Sequence, residues 1–410
     1  MSRPAGRTRA RARGRSKPRM VILGGAGAMG RITARDMART GRGAVEVVIA
    51  DRDVRAVRIP GVETVRVDVS NPASLERALK GAYATIASLP YRLNLAAMRG
   101  ALKAGAHYVD LGGLFHVTRK QLALHGAFAR RGAMAILGVG SAPGILNVLA
   151  ARSARDMETV REVHCLVGAV DHTRFRDPPL LGFGYSPDTL LDEFAMPSAV
   201  FRGGRFRMVP PLDPHERVEV EFPKPVGRLF VDSTLHSEVA TLPLSFGDRG
   251  IREVTFRQGF EAEFMERLRF LVRLGLVDTG ALGPLGNGTP IVPRKVLLAL
   301  LRRQPAPAPI GKPLRYEVLR TVVRGLRRGR GVTVTADCHA GPDAGWGIGP
   351  DIDTGAPPSI AVQLMAQGEI PIRPGVWPVE QVVPPGPFVR ELERRGMRVT
   401  ERTRPTRPKR

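Results

Sequence analysis

Short apolar runs alternate with segments of helical periodicity through the first third of the chain. Six of these runs predict buried strands, at residues 20–23, 45–51, 62–69, 82–89, 107–110 and 133–137. Amphipathic patterns between them predict helices at 31–39, 71–80, 93–104 and 118–130. Strands that alternate with helices at this spacing are typical of an α/β protein with a doubly wound, parallel sheet of the Rossmann type.

The pattern changes after about residue 145, where short strands are separated by Gly, Pro and Asp turns. These strands are predicted at 160–169, 217–222, 228–231 and 253–258, and helices are predicted at 187–194, 262–274 and 294–301. This mixture indicates a second, α+β domain with a mostly antiparallel sheet. Within it, the basic run at 324–330 is interpreted as the solvated tip of a hairpin.

The expected organisation has two domains, one C-terminal segment and two basic tails. The Rossmann domain spans 19–145 and the α+β domain spans 146–354; a segment at 355–401 follows, with helices at 358–367 and 388–395 and a strand at 397–400. Residues 1–18 and 402–410 are expected to be disordered, since they are basic and contain no acidic residue.

The composition narrows the possible partners. Much of the formal net charge of +25 lies in the two tails, and no basic motif with interleaved aromatic residues occurs, so no specific nucleic-acid partner is expected. No apolar run approaches the length of a membrane span, so no membrane partner is expected. Two cysteines and scattered histidines give no metal-ligand spacing, and a reducing, cytoplasmic location is favoured.

A glycine-rich turn joins the first predicted strand to the first helix. Gly25, Gly27 and Gly30 have G-x-G-x-x-G spacing, with Ala28 and Met29 between the last two. The first glycine permits a tight turn, the second lets a pyrophosphate approach the backbone, and the third lets the helix pack closely on the strand. The N–H groups at the helix N-terminus then face the phosphates, so a dinucleotide cofactor is predicted.

Polar residues at the carboxyl ends of the predicted strands extend this cofactor site. Asp51 ends the second strand and would accept hydrogen bonds from the adenosine ribose, which favours NAD; Arg52 follows and could pair with a 2′-phosphate, so NADP stays possible. The other predicted cofactor contacts are Asp68, Ser88, Leu89, Pro90, Pro143 and Asn147. Tyr91 is predicted to contact the substrate where the crevice of the sheet opens.

Several stretches resemble the saccharopine dehydrogenase family, and within it the lysine 6-dehydrogenase-like branch. Besides the glycine motif they are 50–52 (ADR), 107–111 (HYVDL), 142–144 (APG) with Asn147, 185–187 (YSP), 235–243 (LHSEVATLP), 270–276 (FLVRLGL), 375–376 (GV) and 378–380 (PVE). The resemblance covers about residues 19–402. It implies dimer contacts on the second sheet, hence a homodimer, and a C-terminal segment that packs back on the Rossmann domain.

The resemblance also implies dehydrogenation at a C–N bond of a small amino-acid substrate, with oxidative deamination of the lysine ε-amine as the leading expectation. One alternative is an imine reductase similar to saccharopine reductase or carboxynorspermidine dehydrogenase. A non-catalytic dinucleotide-binding regulator is the alternative from another class. In either enzymatic case the protein must position the amine and move a proton near neutral pH.

Five positions are candidates for this chemistry. Asp110 ends the fifth strand and is an acid/base or ammonium-anchoring candidate, although it could instead cap the turn that follows. His236 and Glu238 would face the same side of a strand as a His–carboxylate pair, with an ordinary buried histidine as the alternative. Tyr185 could bond the substrate or simply be half-buried, and Arg257 is one possible carboxylate clamp among many arginines.

Overall fold

The computed structural model describes residues 17–41, 43–283, 288, 290–305, 307–342, 345 and 349–406. Its strands, in chain order, are β1 (Arg19–Leu23), β2 (Glu46–Asp51), β3 (Glu63–Arg66), β4 (Ala84–Ala87), β5 (His107–Asp110), β6 (Met134–Leu137), β7 (Thr159–Asp171), β8 (Ser198–Arg202), β9 (Arg205–Val209), β10 (Val218–Glu221), β11 (Arg228–Ser233), β12 (Glu253–Gly259), β13 (Arg315–Arg327), β14 (Arg330–Ala340), β15 (Gly375–Pro378) and β16 (Arg398–Pro405).

Helices connect and cover these strands. They are α1 (Ala28–Thr40), α2 (Pro72–Leu79), α3 (Asn94–Ala104), α4 (Leu114–Leu122), α5 (His125–Arg131), α6 (Ile145–Ser153), α7 (Pro187–Ala195), α8 (Glu238–Ser245), α9 (Ala262–Arg273), α10 (Pro293–Arg303), α11 (Ile352–Ala366), α12 (Val379–Val382) and α13 (Pro385–Arg394).

The first sheet is fully parallel, with seven strands in the order β15-β6-β5-β4-β1-β2-β3. All six predicted strands are present, so the predicted Rossmann-type sheet is confirmed. The direction of winding reverses between β1 and β4, and ligands of such sheets bind in the crevice outside the carboxyl ends at that point. A ligand site is therefore expected at the loops that follow β1, β4, β5 and β6.

The second sheet has nine strands, most of them along the path β10-β11-β12-β7-β13-β14-β16, with the β8–β9 hairpin attached to β12. Among the described strands of this second sheet only the β12–β7 pair is parallel, so the prediction of a mostly antiparallel α+β domain is confirmed. The predicted basic hairpin is formed by β13 and β14. It turns at Arg328 and Gly329, both of which have positive φ.

Helix α6 lies between the two sheets and joins their apolar cores. Its Leu149 belongs to the same buried cluster as Ile136 of β6 and Val323 of β13. The hydroxyl of Thr321 in β13 donates to the Leu146 carbonyl of α6 at 3.0 Å. The first sheet and the second are thus held at a fixed separation around this helix.

The C-terminal segment contacts both sheets. β15 extends the first sheet beside β6, whereas β16 extends the second beside β14. Helix α11 packs on α1, where the Thr33 hydroxyl donates to the Gly355 carbonyl at 2.7 Å. Arg395 completes the attachment through a buried, two-pronged ion pair with Asp36, at 2.6 and 2.8 Å.

Several predicted boundaries are wrong. The helix predicted at 118–130 is two helices, α4 and α5. Helix α11 begins at Ile352 and continues through Pro357 and Pro358, so the predicted boundary between 354 and 355 falls inside a helix. Residues 402–405, predicted as tail, belong to β16, and β8 and β9 were not predicted. Residues 1–16 and 407–410 of the predicted tails lie outside the described residues.

Candidate functional site

The glycine-rich turn packs too tightly for side chains at two of its positions. A Cβ on Gly30 would lie 2.6 Å from the Cα of Gly25, and a Cβ on Gly25 would lie 2.9 Å from the carbonyl oxygen of Ile22. Gly27 caps α1 in an extended conformation. This close approach of turn, strand and helix is the arrangement that a pyrophosphate at a helix N-terminus requires.

Asp51 lies beside this turn, as predicted for a ribose-binding residue. Its Oδ2 accepts a hydrogen bond from the backbone N–H of Ala26 at 3.0 Å, and its Oδ1 accepts one from Asp53 at 3.3 Å. Arg52 is exposed next to it. The carboxylate is therefore held at the end of β2 while Arg52 stays open to solvent.

The remaining predicted cofactor contacts line the carboxyl ends of β3 and β4. Asp68 is exposed, and hydrogen bonds from the Ser70 hydroxyl and N–H lower the pKa of its carboxyl. Ser88 follows β4 beside Gly24, and its buried hydroxyl has no hydrogen-bond partner among the described residues. Leu89 is partly buried and Pro90 is exposed. Together with the glycine turn, these residues fit a dinucleotide.

Asp110 stabilises a loop and does not reach the crevice. It is fully buried, and its carboxylate accepts hydrogen bonds from the Gly138 and Gly112 N–H groups at 2.8 and 3.1 Å. Further donors are Gln121 at 2.6 Å, Tyr108 at 3.1 Å and Asn94 at 3.4 Å. Burial raises the pKa of Asp110, and these donors oppose the rise. The carboxylate thus makes the contacts that the turn-capping alternative predicts, and the acid/base role of Asp110 stays a prediction.

The loop that joins β6 to α6 carries Pro143 to the same edge of the sheet. A Cβ on Gly112 would lie 2.6 Å from the Pro143 ring and 3.4 Å from the Ser237 hydroxyl of the second domain. Asn147, a predicted cofactor contact, has its side-chain amide engaged within the protein. Its amide accepts from Gly144 N–H at 3.1 Å and donates to Glu380 at 3.0 Å, so it braces the start of α6.

His236 and Glu238 form a pair on either side of Ser237, the residue whose hydroxyl lies near Gly112. The prediction of a strand is wrong here, because β11 ends at Ser233 and α8 begins at Glu238, where a helix favours an acidic residue in its first turn. The predicted contact is nevertheless present, as His236 Nδ1 bonds the Glu238 carboxylate. The imidazole also stacks on Phe256, with ring centroids 3.8 Å apart.

Two residues that the sequence did not single out complete this network. Glu193 of α7 lies with its Oε1 3.8 Å from His236 Nε2, and its Oε2 accepts hydrogen bonds from Tyr185 and, at 2.8 Å, from Gln258. Tyr185 therefore belongs to the cluster, as a donor to Glu193. We name the set Tyr185, Glu193, His236, Glu238 and Gln258 the His236 network.

Burial and neighbouring charges shift the pKa values of the His236 network in opposite directions. Burial raises the pKa of Glu193, which the positive charge of His236 partly offsets. Burial alone would lower the pKa of His236, but Glu238 and Glu193 together raise it above its usual value. A buried imidazole between two carboxyl groups is thus poised to hold a proton near neutral pH.

Several polar atoms of this region have no partner among the described residues. They are the hydroxyls of Thr234 and Ser237 and the Oε1 of Glu238, all buried. His236 Nε2 likewise makes no hydrogen bond with a described residue, since Glu193 is too distant for one. Because buried polar groups are normally paired, these atoms are candidates to bond a ligand.

Tyr91 and Arg257 do not act as predicted. The Tyr91 hydroxyl donates to Asp192 of α7 at 2.7 Å, and Arg92 and Arg294 pair with the same carboxylate. Arg257 is buried and donates to the Thr255 hydroxyl at 2.7 Å and to the Glu216 carboxylate at 3.2 Å. Its guanidinium is occupied inside the second domain, so it cannot clamp a substrate carboxylate.

The fold and this site define a class of protein: a nicotinamide-dinucleotide-dependent oxidoreductase in which a second domain covers the carboxyl edge of the Rossmann sheet. Two family models match, the saccharopine dehydrogenase NADP binding domain at residues 20–136 and the saccharopine dehydrogenase C-terminal domain at 140–397. The chain therefore belongs to the saccharopine dehydrogenase family. It is an NAD(P)-dependent dehydrogenase of the class that acts on C–N bonds of amino compounds.

Individual relatives are more distant. The carboxynorspermidine synthase of Vibrio cholerae is 26% identical over 75% of this chain and 74% of its own length. The carboxyaminopropylagmatine dehydrogenase of Synechocystis is 24% identical over 92% of this chain and 96% of its own. An apo saccharopine dehydrogenase (L-Glu forming) from Saccharomyces cerevisiae shares the fold, with a TM-score of 0.70 at 15% identity, covering 94% of this chain and 99% of its own.

Two further observations concern the described residues alone. No helix among them is long and apolar enough to cross a membrane. No group of three or more His, Cys, Asp or Glu side chains among them is suited to hold a metal ion.

Proposed function

We propose that this protein interconverts an imine and a secondary amine, joining or separating an amino compound and a carbonyl compound with NAD(P)H or NAD(P)⁺. The observation that carries the proposal is the buried His236 imidazole, whose Nδ1 bonds Glu238 and whose Nε2 makes no hydrogen bond with a described residue and lies 3.8 Å from the Oε1 of Glu193. Such a group can give a proton to, or take one from, a substrate nitrogen.

The names of the relatives favour this reaction over deamination of lysine. Carboxynorspermidine and carboxyaminopropylagmatine, in the names of the two relatives above, are carboxylated amines with several nitrogen atoms. Oxidative deamination of the lysine ε-amine, which the sequence resemblance favoured, has no such support. It serves as the comparison reaction in the experiment below.

Proton transfer is the part of the reaction that the protein itself must perform. In the reductive direction, protonated His236 donates its Nε2 proton to the imine nitrogen, which becomes an iminium cation. Glu238, bonded to Nδ1, stabilises the charged imidazole before transfer and orients its ring. The nicotinamide cofactor, when bound, supplies the hydride that reduces the carbon. In the oxidative direction, His236 takes that proton back from the iminium nitrogen that forms when the secondary amine loses its hydride.

Glu193 and its donors are assigned a supporting role. Tyr185 and Gln258 occupy the Oε2 of Glu193, which leaves its Oε1 facing His236 Nε2. A substrate nitrogen that lies to one side of these two atoms, about 2.8 Å from each, would bond both. The pair thus selects a substrate nitrogen that can carry positive charge.

A cofactor-absorbance assay tests the proposal. Oxidation of NADPH and of NADH is followed with carbonyl compounds combined with diamines or amino acids, and reduction of NAD⁺ and NADP⁺ is followed with lysine. We expect turnover only where a carbonyl and an amine are supplied together. Turnover of lysine alone would replace the proposal with the deaminase, and cofactor binding without any turnover would favour the regulator. A higher rate with the NAD pair would show that Asp51 governs the choice of cofactor. A higher rate with the NADP pair would show that Arg52 does.

We also infer that the protein is a homodimer. Helix α9 and strand β11 carry large apolar side chains at the surface, with Phe270, Leu274 and Phe230 exposed by 62%, 60% and 56%. Apolar groups concentrated in this way often mark an interface between protein chains. Light scattering on the purified full chain tests this, and a monomer mass at micromolar concentration would contradict it.

A further inference from the structure

Glu380 is a buried carboxylate of the C-terminal segment, in one of the stretches (378–380, PVE) that resemble the family. It is the second residue of α12, which follows directly on β15, and β15 is paired with β6 of the first sheet. Burial raises the pKa of its carboxyl, and hydrogen bonds that it accepts from side chains oppose the rise. Its position on the sheet is thus fixed, and its two oxygens bond two different helices, α6 and α8.

One oxygen of Glu380 fixes the start of α6. Asn147 Nδ2 donates to Glu380 Oε2 at 3.0 Å, so the amide oxygen of Asn147 points the other way and accepts the Gly144 N–H at 3.1 Å. Gly144 ends the β6–α6 loop (residues 138–144), and a Cβ on it would lie 2.0 Å from the Gly140 carbonyl oxygen. Because the loop is closed on itself in this way, a bond that holds Gly144 holds the whole loop.

The other oxygen of Glu380 fixes α8. The Ser245 hydroxyl, at the end of this helix, donates to Glu380 Oε1 at 2.8 Å. Thr241, one turn earlier on the same face of the helix, has its hydroxyl 3.3 Å from Asn147 Nδ2, the group that also bonds Glu380. Two contacts one turn apart set both the height and the rotation of α8, so this helix and the β6–α6 loop share one anchor.

The contact of Glu238 with His236 depends on where α8 lies. Glu238 is the first residue of α8, and its carboxylate bonds His236 Nδ1. The imidazole itself is held by another element, since it stacks on Phe256 of β12. Glu193, which faces Nε2, also belongs to a different helix, α7. A displacement of α8 would therefore move Glu238 relative to a ring that β12 holds.

We propose that Glu380 is a positioning residue that sets the separation between the β6–α6 loop, where the cofactor is expected, and Glu238, the partner of His236. The proposal rests on the proposed function, because it names the group that aligns the two sides of that reaction. The hydride and the proton go to the two neighbouring atoms of one C=N bond, so their donors must be held at a fixed spacing. A displacement of about 1 Å can lower the rate by a factor of about 10².

An exchange of the acid and the amide tests this anchor with matched variants. Asn147→Asp places two carboxylates against each other, because an oxygen takes the place of the Nδ2 that donates to Glu380. Adding Glu380→Gln to Asn147→Asp restores a donor and an acceptor in every bond. The carboxylate at position 147 then accepts from the Gly144 N–H and from the amide at position 380, whose oxygen accepts from Ser245. Glu380→Ala removes both bonds, and Glu369→Gln, which alters an exposed carboxylate of the same segment, is the control.

The pH midpoint of His236 and the rate of the reaction are the two measurements. NMR of the full chain with isotope-labelled histidine rings gives the midpoint, and His236→Asn identifies the signal among the eight histidines. We expect the midpoint to fall by about 0.5 pH unit or more in Asn147→Asp and Glu380→Ala, because Glu238 moves away while burial remains. In the double variant it should return to within about 0.2 unit of the wild type. The reductive kcat/KM should fall roughly 10- to 100-fold in the same two variants and recover in the double variant.

A His236 midpoint equal to that of the wild type in both Asn147→Asp and Glu380→Ala would overturn the positioning role, even if the free energy of unfolding falls. A folded double variant that keeps the lowered midpoint would also overturn it. If Glu380→Ala does not fold, Ser245→Ala, which removes only the bond to α8, is measured in its place with the same expectation. Failure of the proposed function is separable, because a wild type that oxidises NADPH with no carbonyl–amine pair removes the reaction, whereas the midpoints still decide whether Glu380 positions Glu238.

Discussion

Three neighbours from separate parts of the chain determine the orientation and the charge of the His236 imidazole. Phe256 of β12 stacks on the ring, Glu238 bonds Nδ1 and Glu193 faces Nε2. Since the pKa of His236 is raised despite burial, the charged pair stabilises the fold fully below the ordinary histidine pKa of 6.5. That stabilisation is lost as the pH rises through the raised value.

Glu238→Gln should remove the negative charge that is bonded to His236. Without the carboxylate, burial is left to lower the pKa of His236, so the imidazole loses its proton at lower pH. The decline of the reductive rate with rising pH should then move to lower pH, by about one unit or more. The pH dependence of kcat/KM measures this shift, and a profile identical to that of the wild type would contradict the assigned role.

Asp110→Asn should destabilise the protein. If the asparagine oxygen keeps the Gly112 and Gly138 N–H groups, its NH2 donors point at the Gln121 amide, which is itself a donor to Asp110. We expect the free energy of unfolding to fall by about 2–3 kcal/mol. Urea unfolding measures it, with the exposed Asp68→Asn as control. A stable Asp110→Asn enzyme without activity would instead restore Asp110 as a catalytic residue.

Individual site residues could be predicted from the sequence only where a short local pattern indicated them. The glycine turn and Asp51 followed from spacing, and the contact of His236 with Glu238 followed from their proximity in sequence. Glu193 could not be paired with His236, because 43 residues separate them. One signal existed: Glu193 follows Leu190 by three positions, so it lies on the apolar face of α7.

At the scale of elements, the junction of β1 and α1 shows how packing prepares a binding site. The helix must start immediately over the turn for its N–H groups to face a phosphate, and only glycine at position 30 leaves room for that approach. The same junction buries the start of α1 against the sheet, since Gly30 and Ile32 are buried.

Gly30→Ala should therefore impair cofactor binding. The added Cβ would lie 2.6 Å from the Gly25 Cα, so the turn must shift. We expect cofactor affinity to fall at least about tenfold and the free energy of unfolding to fall by about 1–3 kcal/mol. Fluorescence titration of NADPH provides the measurement. Gly247→Ala is the matched control, because a Cβ there meets nothing within 4 Å; equal affinities in the two variants would contradict the assignment.

The elements of the first sheet could be predicted because parallel, buried strands are continuous apolar runs. Prediction failed where local rules compete with packing. Helix α11 was placed six residues late since Pro357 and Pro358 suggested a helix start, yet Gly355 packs on α1 and keeps the preceding turn helical. The β8–β9 hairpin was missed although Gly203 and Gly204 form its turn, because exposed β9 lacks an apolar pattern.

At the scale of the whole molecule, an ion cluster closes the first domain against the second. One carboxylate oxygen of Asp192 in α7 bonds Tyr91 and Arg92, which follow β4. The other oxygen pairs with Arg294 of α10. Asp192 and Arg294 are buried, whereas Asp188 beside them is half-exposed. Because Glu193 of the His236 network also lies on α7, the cluster fixes the distance between the crevice and that network.

Asp192→Asn should weaken this attachment strongly. Removing the charge leaves buried Arg294 with the half-exposed Asp188, at 3.4 Å, as its acidic partner, and breaking a buried pair costs about 3–5 kcal/mol. The free energy of unfolding, measured in urea, should fall by that amount. Asp188→Asn, which removes a half-exposed partner of the same arginines, should cost about 1 kcal/mol or less. Similar losses for both variants would show that the cluster is not a buried junction.

The central claim is that His236 moves the proton in a reaction that joins an amine to a carbonyl compound. The most direct measurement is NADPH oxidation by wild type and His236→Asn with a saturating carbonyl–diamine pair, alongside NADPH binding to both proteins. We predict that kcat/KM falls about 10²- to 10⁴-fold in His236→Asn while the Kd for NADPH is unchanged. An unchanged rate in His236→Asn would contradict the assignment of His236, and no oxidation by the wild type with any such pair would contradict the reaction.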